Sequence, residues 1–158
     1  MESRGLGVGF RGISLLERGA GGMVFSLGLY ATMLKVLRLR IAAGERLVLV
    51  GDLNTCYAEI DLARPRENRQ TSGFMPEERS ALGAFFEAGF VDSFRHLNPD
   101  TAKYSWWSLR SGARSRNIGW RLDYFLVSSE LMPQVEAVEI HDDVMGSDHC
   151  PVSLILKD

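Results

Sequence analysis

Asp52 and Asn54 are the first residues in this sequence whose types and spacing could do chemistry. They follow a β-branched apolar run at residues 46–50, which predicts a central strand buried on both faces. Because side chains alternate along a strand, both residues point to one side. Their oxygens suit Mg²⁺ or Mn²⁺ better than Zn²⁺, and ligands of α/β proteins bind at the carboxyl ends of strands. An Asx turn closing the strand explains the same residues equally well.

Asp148 and His149 form a second candidate pair, in a loop that begins with Gly146. A metal-binding Asp beside a His that contacts a phosphoryl oxygen would supply charge neutralisation and hydrogen-bond donors, which phosphoryl transfer requires. About half of such loop pairs are instead solvated by chance. A third element is therefore needed to choose between the two interpretations.

Asp123 is that third element, because it interrupts an otherwise apolar run at residues 120–127. An acid inside such a strand must be paired or hydrogen-bonded. We expect it to face His149, where it would set the tautomer and favour the imidazolium. A structural ion pair between Asp123 and Arg121 or another arginine is the alternative.

Two groups of arginines accompany these segments. The first is Arg110, Arg114, Arg116 and Arg121, around Trp106, Trp107 and Trp120, and the second is Arg64, Arg66 and Arg69. Neither group is strongly balanced by acids in the sequence. Arginines contact phosphates and indoles line pockets for an unstacked sugar or base, so we favour nucleic-acid binding over a solvated charged face with tryptophans in the core.

The totals of the sequence limit the class of protein. A length of 158 residues, 46% hydrophobic and 24% charged, indicates one soluble globular domain. A net charge of −2 means that a nucleic acid would be held by a local basic patch. Cys56 and Cys150 lack metal-ligand spacing, which favours reduced thiols in an intracellular protein. The apolar run at residues 23–34 is shorter than the roughly 20 residues of a membrane span.

The pattern along the chain predicts a layered α/β fold. Residues 1–22 contain seven glycines and are interpreted as a flexible leader before a domain at residues 23–158. Helices are predicted at residues 25–43 and 76–88, and strands at 46–50, 104–109, 121–128 and 151–157, with a weaker strand at 137–141.

Six collinear segments carry a family resemblance. They are Gly51-Asp-Leu-Asn, Glu59-Ile-Asp-Leu, Gly73-Phe-Met-Pro-Glu-Glu-Arg, Asp92-Ser-Phe-Arg-His-Leu, Asn117-Ile-Gly-Trp-Arg-Leu-Asp-Tyr-Phe and Gly146-Ser-Asp-His-Cys-Pro. Their order and spacing, from about residue 47 to 156, resemble the exonuclease III type of apurinic/apyrimidinic (AP) endonuclease. This type belongs to the endonuclease/exonuclease/phosphatase superfamily.

The resemblance implies a role for each matching residue. Asp52 would activate or orient the attacking water, and Asn54 beside it would bind the transition state or the metal. His149, oriented by Asp123, would contact the scissile phosphate. The implied metal ligands for Mg²⁺ or Mn²⁺ are Asp52, Asn54, Asp148 and His149. Trp106, Trp120 and Leu122 would line the pocket for the baseless sugar, while Asn68 and Arg110 would touch DNA.

The implied reaction is DNA repair by metal-dependent hydrolysis of the phosphodiester 5′ to an abasic site in double-stranded DNA. Such relatives also show 3′-exonuclease or 3′-phosphodiesterase activity. The implied location is intracellular, in the nucleus of a eukaryote or the cytoplasm of a prokaryote. A phosphatase or phospholipase of the same superfamily is a further alternative.

The resemblance also implies a fold and a missing part. Enzymes of this type have a four-layered, DNase I-like α/β sandwich, and the match covers its C-terminal half. Residues 1–45 match none of the N-terminal motifs, which include a metal-binding Glu. We therefore expect weak activity or a silent DNA-binding fragment, and poor solubility unless a partner or the missing half covers the sheet.

Overall fold

The computed structural model describes the backbone of residues 20–157 and the side chains of residues 28–157. Its elements are α1 (Ala20–Ala42), β1 (Val48–Asp52), α2 (Pro76–Glu87), β2 (Phe90–Asp92), α3 (Ser93–Leu97), β3 (Trp106–Trp107), β4 (Gly119–Trp120), β5 (Asp123–Ser128), β6 (Val135–Ile140) and β7 (Val152–Leu156). Short 3₁₀ turns lie at Glu59–Asp61 and Met132–Gln134. This mixture of helices and strands confirms the predicted α/β class.

Helix α1 confirms the helix predicted at residues 25–43, but it begins earlier, at Ala20. The last three residues of the predicted leader are therefore helical, and residues 1–19 lie outside the described part of the chain. Three side chains at helical spacing are buried against α2 and the sheet: Tyr30, Leu34 and Leu37. This contact holds α1 beside the end of β1.

Helix α2 confirms the helix predicted at residues 76–88. Met75 precedes it and provides no side-chain cap. The carboxylate of Glu78 reaches back instead, and it accepts hydrogen bonds from the backbone N–H groups of Gly73 at 2.6 Å and Met75 at 3.0 Å. The helix start is therefore satisfied from its third residue.

Strand β5 is the centre of a three-stranded antiparallel sheet in the order β1-β5-β2. The prediction that residues 46–50 form a central strand buried on both faces is wrong within the described residues. β1 lies at an edge of this sheet, and its Val48 and Val50 are only half-buried. Leu126 and Val127 of β5 are fully enclosed. β2 and α3 escaped prediction because such short elements show no periodicity.

The predicted strands in the second half are present but shorter. Only Trp106–Trp107 of the strand at 104–109 is extended and paired, with Gly119–Trp120, which forms its own strand. β6 and β7 form an antiparallel hairpin, confirming the strands predicted at 137–141 and 151–157. Gly119 is needed because a Cβ there would lie 2.4 Å from Trp107 Nε1.

The central sheet is covered on both faces. On one face α1 and α2 pack against Leu49 and Leu126, and on the other α3 and the β6–β7 hairpin pack against Val127. A third apolar cluster, beneath Trp106 and Trp120, lies beside the ends of β1 and β5. Nothing within residues 20–157 forms a helix long and apolar enough for a membrane crossing. The packing thus fixes β1 and β5 side by side.

Candidate active site

Asp52 and Asp123 lie opposite each other in the antiparallel register of β1 and β5. Side chains at opposed positions share one face of a sheet. His149 comes to the same place from the loop before β7, with Nδ1 at 2.8 Å from Asp123 Oδ2 and Nε2 at 3.8 Å from Asp52 Oδ2. The predicted pairing of Asp123 with His149 is therefore present. The alternative, an ion pair of Asp123 with Arg121 or another arginine, is wrong for the described residues, because Arg121 pairs with Asp61 and Asp92.

The charges of this cluster favour a protonated imidazole. The hydrogen bond with Asp123 raises the pKa of His149, and the carboxylates of Asp123, Asp52 and Asp148 act in the same direction. Burial raises the pKa of the Asp52 carboxyl. The 3.8 Å separation between His149 Nε2 and Asp52 Oδ2 exceeds hydrogen-bond length. Within the described residues, Nε2 therefore makes no hydrogen bond.

The turn after β1 holds Asp52 and Asn54 together. The backbone N–H of Asn54 donates to Asp52 Oδ1 at 2.8 Å, and its side-chain amide donates to Asp52 Oδ2 at 3.1 Å. Asn54 is left-handed, with φ +48°. Leu53 anchors the turn, since its N–H donates to the Leu122 carbonyl and its own carbonyl accepts from the Tyr30 hydroxyl. An Asx turn and a candidate site therefore coincide.

Asp148 is held apart from the Asp52–Asp123–His149 cluster. The Trp106 indole N–H donates to Asp148 Oδ2 at 3.0 Å, and this hydrogen bond lowers the pKa of the Asp148 carboxyl. The Trp107 backbone N–H donates to the Asp148 carbonyl at 2.9 Å. Asp148 is therefore an ionised carboxylate fixed by two consecutive tryptophans.

The side chains of residues 28–157 include no group of three or more His, Cys, Asp or Glu arranged to hold a metal ion. Metal ligation by Asp52, Asn54, Asp148 and His149 stays a prediction. His149 Nδ1 lies 2.8 Å from Asp123 Oδ2, whereas Nε2 lies 3.8 Å from Asp52 Oδ2, beyond hydrogen-bond length. The oxygens of the other three suit Mg²⁺ or Mn²⁺, but further ligands are required.

The predicted sugar-pocket residues lie together. Trp106 pairs with Trp120 across β3 and β4, and both half-buried indoles pack on an apolar cluster that includes Leu122. Leu122 is only 6% exposed, so it supports the indoles from beneath. A Cβ on Gly73 would lie 3.2 Å from the Trp120 ring and 3.0 Å from the Asn54 carbonyl. The indole surface therefore adjoins the Asp52–Asn54 turn.

The two residues predicted to contact DNA differ in their hydrogen bonds within the protein. Asn68 donates from its side-chain amide to the Arg64 carbonyl at 2.9 Å and accepts from the Thr71 hydroxyl at 3.2 Å, so it closes an exposed turn. Arg110 is exposed in the turn between β3 and β4. A DNA contact by either stays a prediction.

Several arginines do not have the surroundings expected from the sequence. Arg121 is fully buried and bonds to Asp61 and Asp92, so it is not part of a DNA-binding patch. Arg114 donates to backbone carbonyls of the protein. Two of the three arginines in the second group are paired with acids, since Arg64 pairs with Glu67 and Arg69 pairs with Glu59. The Arg121 pairs join residues far apart in the chain, so the linear sequence did not reveal them.

Ser105 is a residue of the site that the sequence did not reveal. Its buried hydroxyl accepts hydrogen bonds from the backbone N–H groups of Leu122 at 3.0 Å and Asp123 at 3.1 Å. Its own backbone joins the Trp120 carbonyl and the Cys150 N–H. One serine thereby ties the segments that carry Asp123 and His149. No spacing in the sequence signals this role.

The chain is similar to nucleases of known sequence and structure. The pattern of the Endonuclease/Exonuclease/phosphatase family matches residues 7–149. An exodeoxyribonuclease of Bacillus subtilis (strain 168) is 60% identical over 120 residues, 75% of this chain and 48% of that protein. The DNA repair nuclease APEX1 of Danio rerio is 52% identical over 115 residues, 72% of this chain and 37% of that protein.

A solved structure shows the same similarity in three dimensions. An AP endonuclease from Archaeoglobus fulgidus has a TM-score of 0.79 and 25% identity, covering 87% of this chain and 55% of that one. The chain spans about half the length, or less, of the curated relatives it matches. The family match begins at residue 7, inside the predicted leader. The chain belongs to the Endonuclease/Exonuclease/phosphatase family, in its exonuclease III and AP endonuclease branch.

Proposed function

We propose that this chain carries part of the active site of an AP endonuclease, which hydrolyses the phosphodiester 5′ to an abasic site in double-stranded DNA. The observation that carries the proposal is the arrangement of His149 between Asp123 and Asp52. The described fold would be about half of a four-layered α/β sandwich, because it covers 55% of the similar archaeal structure. A 3′-exonuclease or 3′-phosphodiesterase activity would use the same groups.

The proposed chemistry is in-line attack of water on phosphorus. The water oxygen forms the new P–O bond, the bond to the leaving 3′-oxygen breaks, and that oxygen takes up a proton from solvent water. Asp52 is suited to receive the proton of the water because burial raises its pKa, while the hydrogen bonds from Asn54 orient the carboxylate and partly oppose that rise. The products would be a 3′-hydroxyl and a 5′-deoxyribose phosphate.

His149 would stabilise the negative charge that develops on the phosphate. The hydrogen bond with Asp123 raises the pKa of His149, which favours its cationic form, and it orients the ring through Nδ1. Preorganised donors of this kind contribute most when charge builds up in the transition state. Asp123 thus acts through His149.

The proposal includes Mg²⁺ or Mn²⁺ as cofactor on the basis of the family. Asp52, Asn54 and Asp148 offer the hard oxygen donors that these ions prefer. The described side chains include no group of three or more His, Cys, Asp or Glu arranged around a metal ion, so the steps above are assigned only to residues of the chain. A bound ion would add charge neutralisation at the phosphate.

The substrate preference rests on the aromatic surface. Half-buried Trp120 lies beside the Asp52–Asn54 turn, and its strand partner Trp106 bonds to Asp148, so a flipped sugar without a base would contact their rings there. A partner that carries such a sugar is double-stranded DNA with an abasic site. The corresponding location is the nucleus of a eukaryote or the cytoplasm of a prokaryote.

A second candidate function is a DNA-binding fragment without catalysis. It is favoured by the coverage of the relatives, because the chain spans 48% of the Bacillus subtilis exodeoxyribonuclease that it matches. Such a fragment would bind an abasic duplex through its exposed basic turn and indoles but leave it intact.

Incision of a labelled duplex separates these functions. The 158-residue chain is incubated with Mg²⁺ and a duplex that contains one tetrahydrofuran abasic-site analogue, and then with EDTA. The proposal predicts cleavage 5′ to the analogue that EDTA abolishes and that His149→Asn reduces at least about a hundredfold. Binding without cleavage supports the second candidate. Turnover of soluble phosphoesters without a preference for DNA contradicts both.

A further inference from the structure

Arg114 occupies an unexpected position in the turn between β3 and β4. Its guanidinium lies over the Trp107 ring, with Cζ at 4.5 Å from the ring centroid. From there it donates three hydrogen bonds to backbone carbonyls of the loop before β7: Ser147 at 2.8 Å, Asp142 at 3.1 Å and Val144 at 2.6 Å. One side chain thus bonds to three residues that lie 33, 28 and 30 positions further along the chain.

This loop carries the reactive pair. Asp148 and His149 follow directly after Ser147, so a shift of the loop carries both side chains with it. The loop itself is exposed from residue 142 to 147 and has little apolar packing of its own. Its position therefore depends on hydrogen bonds from outside.

Trp107 provides the base on which Arg114 rests. Its indole N–H donates to Asn117 Oδ1 at 3.2 Å, and its ring lies against Gly119. Its backbone N–H donates to the Asp148 carbonyl at 2.9 Å. The same residue thus holds Asp148 directly and supports the guanidinium that holds the preceding loop.

The guanidinium has little left for a substrate. Of its five N–H groups, three donate to the loop, and the one on Nε is enclosed without a partner among the described residues. At most one N–H remains free. Charge-assisted bonds to carbonyls are stronger than neutral ones, and the planar fork of Arg suits several acceptors.

We propose that Arg114 is a positioning residue: it clamps the 142–147 loop onto Trp107 and so sets the placement of Asp148 and His149. It acts through these residues and does not itself touch the substrate. For its effect on incision this inference rests on the proposed function, whereas the effect on the loop is measured without DNA.

The test compares Arg114→Gln and Arg114→Lys with the 158-residue chain. Without DNA, amide hydrogen exchange of Val144 should accelerate at least about tenfold in Arg114→Gln, because loss of the clamp opens the loop locally. The imidazole NMR signals of His149 at fixed pH should shift. Arg116→Gln, an exposed neighbour, should change neither readout.

With the abasic duplex, Arg114→Gln should lower kcat about tenfold or more with little change in KM, since the reacting groups are misplaced after binding. The dependence of DNA binding on salt should keep its slope. A phosphate contact would instead reduce that slope by about one. Arg114→Lys separates the roles further, because lysine preserves a phosphate contact but cannot span three carbonyls.

The inference is overturned if folded Arg114→Gln shows unchanged amide exchange of Val144 and unchanged His149 signals. It is also overturned if the salt dependence of DNA binding becomes shallower while kcat stays the same. If Arg114→Gln does not fold, Arg114→Lys decides: full protection of Val144 and full activity contradict the clamp. A chain that never incises DNA contradicts the proposed function, while the exchange and NMR results still decide the role of Arg114.

Discussion

Two acid clusters of this protein use similar side chains and differ in their cations. The buried cluster joins Asp61 and Asp92 to Arg121 and Arg95, and the side chains of Arg121 and Asp61 are each 1% exposed. The open cluster joins Asp52 and Asp123 to His149, whose side chain is 30% exposed. In the first, two guanidiniums balance two carboxylates. In the open cluster, one imidazole lies near two carboxylates.

The balance of charge determines what each cluster does. Burial alone would raise the pKa of Asp61, but Arg121 and Arg95 hold it below its ordinary value. Asp52 has no guanidinium partner among the described residues, and burial raises its pKa. A carboxylate whose oxygens are paired with guanidiniums has a structural role. A carboxylate with a raised pKa and access to solvent can instead exchange protons. The same residue type, Asp, is therefore structural beside two guanidiniums and reactive where no guanidinium neutralises it.

The largest expected effect comes from breaking the buried cluster. Arg121→Met leaves Asp92 without its guanidinium partner and should lower the free energy of unfolding by about 3–5 kcal/mol. Urea unfolding measures the change. The exposed Arg116→Met is the matched control and should stay within about 0.5 kcal/mol. A similar small loss for both variants would contradict the structural role of Arg121.

The open cluster should respond in activity and not in stability. Asp123→Asn removes the charge that orients His149, so the single-turnover rate of incision should fall about a hundredfold or more. The free energy of unfolding should change by less than about 1 kcal/mol, because the pair is partly exposed. Asp100→Asn, an exposed acid outside the site, serves as control. A large loss of stability in Asp123→Asn would erase the distinction between the clusters.

A smaller effect is expected in the pH dependence of stability. The pKa of His149 is raised in the folded state by Asp123, so its protonated form stabilises the fold. That contribution is complete below about pH 6.5, the ordinary value, and is lost as pH rises through the folded pKa. The difference in unfolding free energy between the unaltered chain and His149→Gln should therefore shrink from about pH 6 to about pH 9, by less than about 1 kcal/mol. A growing difference would reverse the assigned sign.

The smallest effect should come from an exposed ion pair. Arg69 and Glu59 are 65% and 55% exposed and 3.2 Å apart. Arg69→Ala should lower the free energy of unfolding by less than about 0.5 kcal/mol, because solvent and salt screen such pairs. Thermal unfolding should show a change in Tm below about 2 °C. A larger change would mean that this loop is coupled to the core.

The elements with long, regular patterns could be predicted from the sequence. α1 and α2 are present because their apolar residues recur at helical spacing, and β5 because its apolar run is continuous. β2, α3 and β4 were not predicted as separate elements, since two to five residues show no period. The edge position of β1 also escaped prediction, because a strand's neighbours are determined by the whole chain.

The candidate site was predictable as a set of residues. Asp123 interrupts an apolar strand, and this unusual placement predicted that it pairs with His149. The structure has this pair, with 2.8 Å between His149 Nδ1 and Asp123 Oδ2. The environment of Arg121 was not predictable, because its partners Asp61 and Asp92 are 60 and 29 positions away. The sequence offers many possible acids for each arginine.

The sequence by itself determined the family, the reactive residue types and the main helices and strands, because these depend on local pattern and motif order. Only the tertiary structure decided which carboxylates are neutralised, which arginines are inside, and that Arg114 holds the loop before His149. Pairing, burial and pKa depend on distances between residues far apart in the chain. The residues Asp52, Asp123 and His149 could therefore be predicted from the sequence, whereas the distances between them are set by the fold.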